Sequence, residues 1–260
     1  MPTYLDFRCG CLCVAIRLVA DYSERVYMRV ECKWVGRMPY KECWEYQQSL
    51  FDELLRKQGD GSDLAGTIIF VEHPAVYTLG KSGNMSNMLI DESRLKALGA
   101  EFYHIDRGGD ITFHGEGQVV CYPILDLEKL GIGLRRYVEI LEQSIIETIA
   151  EFGLQGRRLE GATGVWLCDE AELPSGEKVE RNWRKICAIG VKASRFVTMH
   201  GLALNASTDL KWFTMINPCG FIDKGVTSIT KELGREVGFE EASRVLCKRL
   251  LANFKLEREQ

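Results

Sequence analysis

Apolar residues recur at helical spacing in several stretches of the chain and cluster into short β-rich runs elsewhere. Between Pro39 and Gly59, Cys43, Leu50, Phe51, Leu54 and Leu55 follow that spacing. Proline opens the run and glycine lies at its end, so an amphipathic helix is predicted. Leu134, Val138, Leu141, Ile145, Ile149 and Phe152 form the buried stripe of a longer helix that Gly153 stops. Phe239 to Phe254 is predicted as a closing helix with Ala242, Val245, Leu246 and Leu250 inward. Asp91 to Leu98 reads as a short helix capped by Asp91 and ended by Gly99.

The runs 67–71, 75–79, 118–125, 165–168, 185–193 and 197–205 read as strands, the first two separated by the breaker His73-Pro74. The polar segment 169–182, containing Pro174-Ser175-Gly176, reads as an exposed hairpin loop. This mixed order predicts an α+β fold with helices flanking a mixed, mostly antiparallel sheet. No repeat or Pro/Gly/Ser linker divides the chain. Residues 28–260 therefore read as a single domain and residues 1–27 as an N-terminal extension of uncertain order.

Composition narrows the function classes. A net charge of −4 over 260 residues gives no global field for polyanions, so no nucleic-acid partner is expected. The longest apolar run, Gly10 to Ala20, is interrupted by Arg17 and is far short of the roughly 20 residues a spanning helix requires, so no membrane partner is expected. Ten cysteines without a CxxC pair fit reduced thiols in a cytoplasmic protein. Cys9, Cys11 and Cys13 share a face if extended, but no histidine lies nearby. The histidines at 73, 104, 114 and 200 show no helical ligand spacing, so no metal is expected.

The stretch Arg107-Gly108-Gly109-Asp110-Ile111-Thr112-Phe113-His114-Gly115-Glu116-Gly117-Gln118 places its glycines ahead of a strand, where a phosphate loop would place them ahead of a helix. Its backbone is expected to approach a ligand or another strand closely. Asn217-Pro218-Cys219-Gly220 reads as a turn that presents a thiol. A free thiol needs a nearby cation to be ionised at neutral pH. Segment 181–195 carries Arg181, Arg184, Lys185, Lys192 and Arg195 with no acid.

Taken in order, RGGDITFHGEGQ (107–118), KICAIG (185–190), HGLALN (200–205) and NPCG (217–220) resemble the lipoyl(octanoyl) transferases of lipoate biosynthesis, from about Met28 to the C-terminus. The resemblance implies the fold of biotin and lipoate protein ligases. It also implies transfer of an octanoyl group from octanoyl-acyl carrier protein to a lysine of apo lipoyl domains, those of 2-oxoacid dehydrogenases and the glycine cleavage H protein. Carried over by position, it makes Cys219 the thioester-forming nucleophile and Lys185 its partner. Acyl binding falls on Arg107, Gly108, Gly109, Asp110, Ile111, Thr112, Phe113 and His114, on Ala188, Ile189 and Gly190, and on Gly201, Leu202 and Ala203. A monomer without cofactor is expected.

The chain departs from the family pattern at Glu116, where proline is usual and a less rigid loop is expected, in the long 169–182 segment, and in residues 1–27. His114 and His200 read as either proton shuttles or backbone-bonded loop residues. Cys187, two residues from Lys185, reads as packing. The family's partners are typically acidic, so Arg181, Arg184, Lys192 and Arg195, with Arg135, Arg136, Arg157 and Arg158, are candidates to steer them. The competing readings are an ATP-dependent lipoate or biotin ligase, a non-catalytic binding module with an inert Cys219, and a thioesterase.

Overall fold

Two opposed faces of one large sheet account for most of the apolar pattern. The computed structural model describes residues 28–218 and 224–259. In chain order the elements are β1 (Met28–Arg37), α1 (Tyr40–Arg56), β2 (Leu64–Glu72), β3 (Val76–Leu79), α2 (Glu92–Ala97), β4 (Glu101–His104), β5 (Ile111–His114), β6 (Gln118–Leu125) and α3 (Leu134–Ala150). There follow β7 (Arg157–Leu159), β8 (Ala162–Glu172), β9 (Lys178–Ser194), β10 (Val197–Asn205), β11 (Gly225–Val226), α4 (Ile229–Leu233), α5 (Phe239–Phe254) and β12 (Leu256–Arg258). Among the described residues the main sheet runs β12-β1-β2-β6-β10-β9-β8-β7, with β11 added beside β9. The pairings of β1 with β2 and β12, and of β9 with β11, are parallel, and the others are antiparallel.

Side chains alternate across a strand, and here the alternation sorts them between two cores. Ile68 and Phe70 of β2, Cys121 of β6 and Leu202 and Leu204 of β10 pack with α3 and α5. Ile69 and Val71, Val120 and Tyr122, and Met199 and Ala203 pack against Cys43, Phe51 and Leu54 of α1. The mixed, mostly antiparallel sheet between helices is as the element order predicted. A second sheet, β4-β3-β5, closes over a small core of Tyr77, Leu79, Leu95, Ile111 and Phe113.

Three expectations need correction. Segment 169–182 is mostly strand: β8 and β9 pair as far as Glu172 and Lys178, leaving residues 173–177 for the turn. In α3, Leu134 is exposed and the inward stripe runs through Tyr137, Ile140, Leu141, Ile145 and Ile149, because the helix starts at Leu134 before reaching the core. In α5, Val245 is only half-buried, and Cys247 and Phe254 complete the inward face with Ala242, Leu246 and Leu250. No helix among the described residues is long and apolar enough to cross a membrane. Residues 1–27, with Cys9, Cys11 and Cys13, lie outside the described residues.

Candidate active site

Where β5, β6, β9 and β10 converge, a cavity of about 750 Å³, mouth included, opens between the two sheets. The structure brings Arg107, Gly109, Asp110, Ile111, Thr112 and His114 to its wall from one side. Ala188, Ile189 and Gly190 of β9 and Gly201, Leu202 and Ala203 of β10 line the other. Gly108 instead lines a neighbouring groove. Phe113 turns away, stacked on Trp212 at 5.1 Å in the small core, because β5 alternates its side chains.

Glycine lets two backbones meet at this cavity. A Cβ at Gly190 would lie 2.9 Å from Arg107 Cδ and from the Gly108 carbonyl, and one at Gly201 would lie 2.2 Å from the Cys121 carbonyl. Arg107, itself buried, donates from Nη2 to the Thr78 carbonyl at 2.8 Å and to Thr78 Oγ1 at 2.9 Å, and from Nη1 to the Gly108 carbonyl at 3.0 Å. The planar fork thus staples the glycine loop to β3.

Lys185 reaches the same cavity and is 7% exposed. Its ammonium donates to the Thr163 carbonyl at 3.2 Å and stands 4.6 Å over the buried Trp166 ring. Val226 of β11 is its register partner, and the Thr227 amide donates to the Lys185 carbonyl at 3.0 Å. Pro218 and Val226 line the cavity with Lys185. Cys219, between them in sequence, lies outside the described residues.

A polar relay forms the back wall. His114 Nδ1 bonds Gln118 Oε1 at 2.8 Å, Gln118 Nε2 donates to Asn205 Oδ1 at 2.8 Å, and Asn205 Nδ2 donates to the Thr227 carbonyl at 3.0 Å. His73 donates from Nδ1 to the Met38 carbonyl at 2.7 Å, leaving Nε2 to accept from Tyr122 Oη at 2.9 Å. His200 Nε2 bonds Asp106 at 3.1 Å. The partners of the His114 and His200 rings are side chains, which matches neither the backbone-bonded reading nor, by itself, the proton-shuttle reading. Burial pushes His73 and His200 down to about 4 and His114 to about 3. All three are neutral at pH 7, which favours structural work over proton transfer. Tyr40, Tyr122, Gln118, Asn205 and Phe213 also line the cavity and were missed in the sequence. The Gln118 and Asn205 positions close two of the ordered blocks, the one available signal.

Other expectations fare differently. Cys187 is buried in the main core, where desolvation raises its thiol pKa. Among the described residues no group of three or more ligating side chains suits a metal. The Glu116 loop is held firmly: Glu116 pairs with Arg37, Glu72 accepts from the Gly117 amide at 3.0 Å, and the Gly117 carbonyl accepts from Ser207 and Ala206. Most of the arginines and lysines considered for steering are neutralised. Arg184 pairs with Asp169 and Glu232, Lys192 with Asp106, Arg157 with Glu170 and Glu180, Arg158 with Glu142, and Arg135 and Arg136 with Glu139.

Residues 39–251 match the family profile of the lipoyl protein ligase A/B catalytic domain. The chain belongs to this family. It is 54% identical over 215 residues to an octanoyltransferase of Bacteroides fragilis (strain YCH46), covering 83% of this chain and 93% of that one. With an octanoyltransferase of Flavobacterium johnsoniae the identity is 47% over 236 residues, 88% and 98% of the two chains. Among solved structures, a bipartite lipoate protein ligase from Thermoplasma acidophilum, studied with its E2 lipoyl domain, superposes with a TM-score of 0.63 at 15% identity, covering 90% of this chain and 87% of that one. That likeness shows the shared fold.

Proposed function

We propose that the chain transfers an octanoyl group from octanoyl-acyl carrier protein to a lysine of lipoyl domains, through a thioester on Cys219, in the cytoplasm. The supporting observation is the position of Lys185: a nearly buried ammonium lining the cavity with Pro218, the residue before Cys219, and held from below by Thr163 and Trp166.

In the first half-reaction the ammonium stabilises the Cys219 thiolate, which attacks the donor's carbonyl carbon. The new C–S bond forms as the bond to the carrier's sulfur breaks, and the carrier thiolate leaves with the proton of the Lys185 ammonium, which is left neutral. In the second, the target lysine's amine attacks the acyl-Cys219 carbonyl, with neutral Lys185 accepting its proton. An amide forms and the Cys219 sulfur departs. Thioester exchange is near balance and amide formation runs downhill, so no nucleotide is consumed. Apolar residues on the cavity wall, including Ile111, Ile189 and Leu202, receive the acyl chain, and the Arg107 fork fixes the loop that covers it.

The competing ATP-dependent ligase reading shares the fold and is separated by cofactor demand. Incubated with octanoyl-acyl carrier protein and an apo lipoyl domain of a 2-oxoacid dehydrogenase or the glycine cleavage H protein, the chain should octanoylate the domain without ATP. Product formed only from free octanoate and ATP would establish a ligase instead.

A further inference from the structure

Arg135, Arg136, Arg157, Arg158, Arg184 and Lys192 are each paired with a carboxylate, which directs attention to other lysines beside the cavity mouth. A groove beside the cavity mouth shares Phe213, Pro218 and Val226 with the cavity and, among the described residues, is lined by Lys211, Lys224 and Lys231 with no carboxylate. Among the described residues, neither Lys211 nor Lys231 lies within ion-pair distance of an acid. The acids adjacent in sequence are committed elsewhere. Asp209 caps its own 3-10 turn by accepting from the Lys211 amide at 3.0 Å. Glu232 is held by both ends of the Arg184 fork, at 2.6 and 2.7 Å, and accepts from Thr227 Oγ1 at 2.5 Å.

An apolar floor with the ammonium groups of Lys211 and Lys231 along it, opening onto the site of chemistry, suits an extended and mostly uncharged chain that carries an anion at a distance from its reacting end. We propose that this groove holds the phosphate-bearing pantetheine arm of the acyl donor, with Lys211 and Lys231 on the phosphate. This assignment rests on the transfer reading above and adds the determinant of donor recognition. Two exposed lysines facing a phosphate give a modest, salt-sensitive preference, on the order of tenfold in total.

The test compares octanoyl-4′-phosphopantetheine with octanoyl-pantetheine, which lacks the phosphate. Formation of the acyl-enzyme is followed by intact mass, without acceptor, over donor concentrations from below saturation up to saturation, so that effects on KM and on the maximal rate are separated. The wild-type chain should react about tenfold faster with the phosphorylated donor at low salt. The advantage should shrink as salt is raised and approach parity in the double variant Lys211→Ala/Lys231→Ala, through KM rather than kcat. The phosphate-free rate in that variant should stay within about twofold of wild type, because surface ion contacts contribute little beyond their own partner. Equal wild-type rates with both donors, or an undiminished preference in the double variant, would overturn the assignment. So would slowing of the variant with the whole carrier protein alone, which would place the lysines against the carrier's acidic surface. Failure of wild-type chain to be acylated by either donor would overturn the transfer reading itself, and this assignment with it.

Discussion

Lys185 and Val226 are register partners in the parallel pairing of β9 with β11. This pairing sets Gly225 and Val226 against the strand that carries the buried ammonium, and Pro218 lines the same cavity. The proposed ion pair between Cys219 and Lys185 is built on that tether.

Lys185→Ala should therefore raise the pH at which Cys219 becomes reactive. Alkylation of Cys219 by iodoacetamide, followed by peptide mass across pH 6 to 10, should shift toward the ordinary thiol value of about 8.5. Acylation at pH 7 should fall by about tenfold or more, since each unit of thiol pKa is a factor of ten in thiolate. An unchanged alkylation profile would reject this role for Lys185.

Gly164 shields the other side of the lysine. It has φ of +120°, and a Cβ there would lie 2.5 Å from the Cys187 carbonyl and 3.6 Å from Lys185 Cε. Gly164→Ala should destabilise the fold by more than about 2 kcal/mol and reduce acylation, because β8 must separate from β9 beneath the ammonium. Gly161 has φ of +72° but faces open space. Gly161→Ala should cost only about 1 kcal/mol. Denaturant melts of the two variants check the contrast.

The three buried histidines predict how stability depends on pH. Their folded values, about 4 for His73, about 3 for His114 and about 4 for His200, lie below the unfolded value near 6.5, with burial the main cause. The unfolded chain thus binds protons that the folded chain refuses. Stability is full above about pH 6.5 and falls as the pH drops toward the folded values, by ~2 kcal/mol per histidine at pH 5. Thermal melts should show a lower Tm at pH 5 than at pH 7, with a shallower slope in His114→Gln.

An apolar cavity discriminates chain length weakly. Each methylene buried contributes about 0.8 kcal/mol, a factor of about four. Hexanoyl donors should react roughly fifteenfold more slowly than octanoyl donors in kcat/KM, unless water or a side chain fills the vacated space. Competition between the two thioesters, read as the ratio of acyl-enzyme masses, measures it.

How much was legible in the sequence depended on whether an element faces a core. β6 and α5 match their expected bounds, and α1 and α3 lie within a few residues of theirs, because their apolar residues repeat with the period of the structure. The ribbon of β8 and β9 beyond the core was missed for the opposite reason. Its residues project into solvent, so no apolar alternation marks it, and backbone pairing with cross-strand contacts such as Asn182 Nδ2 to Asp169 Oδ2 at 2.9 Å holds it together. At the site, ordered motifs pointed to the glycine loop and Lys185. They could not separate Thr112, which lines the cavity, from its neighbour Phe113, which packs behind it. His73 reads in sequence only as part of a breaker, yet it supports Tyr122 at the cavity wall. Such partnerships join residues far apart in the chain and leave no local spacing to find.

The most direct test of the central claim is the intact mass of the chain after incubation with octanoyl-acyl carrier protein in the absence of an acceptor. The claim predicts a gain of one octanoyl group that maps to Cys219, is removed by hydroxylamine at neutral pH, and is absent in Cys219→Ala. A chain that stays unmodified while still octanoylating a lipoyl domain, or a gain that persists in Cys219→Ala, would contradict it.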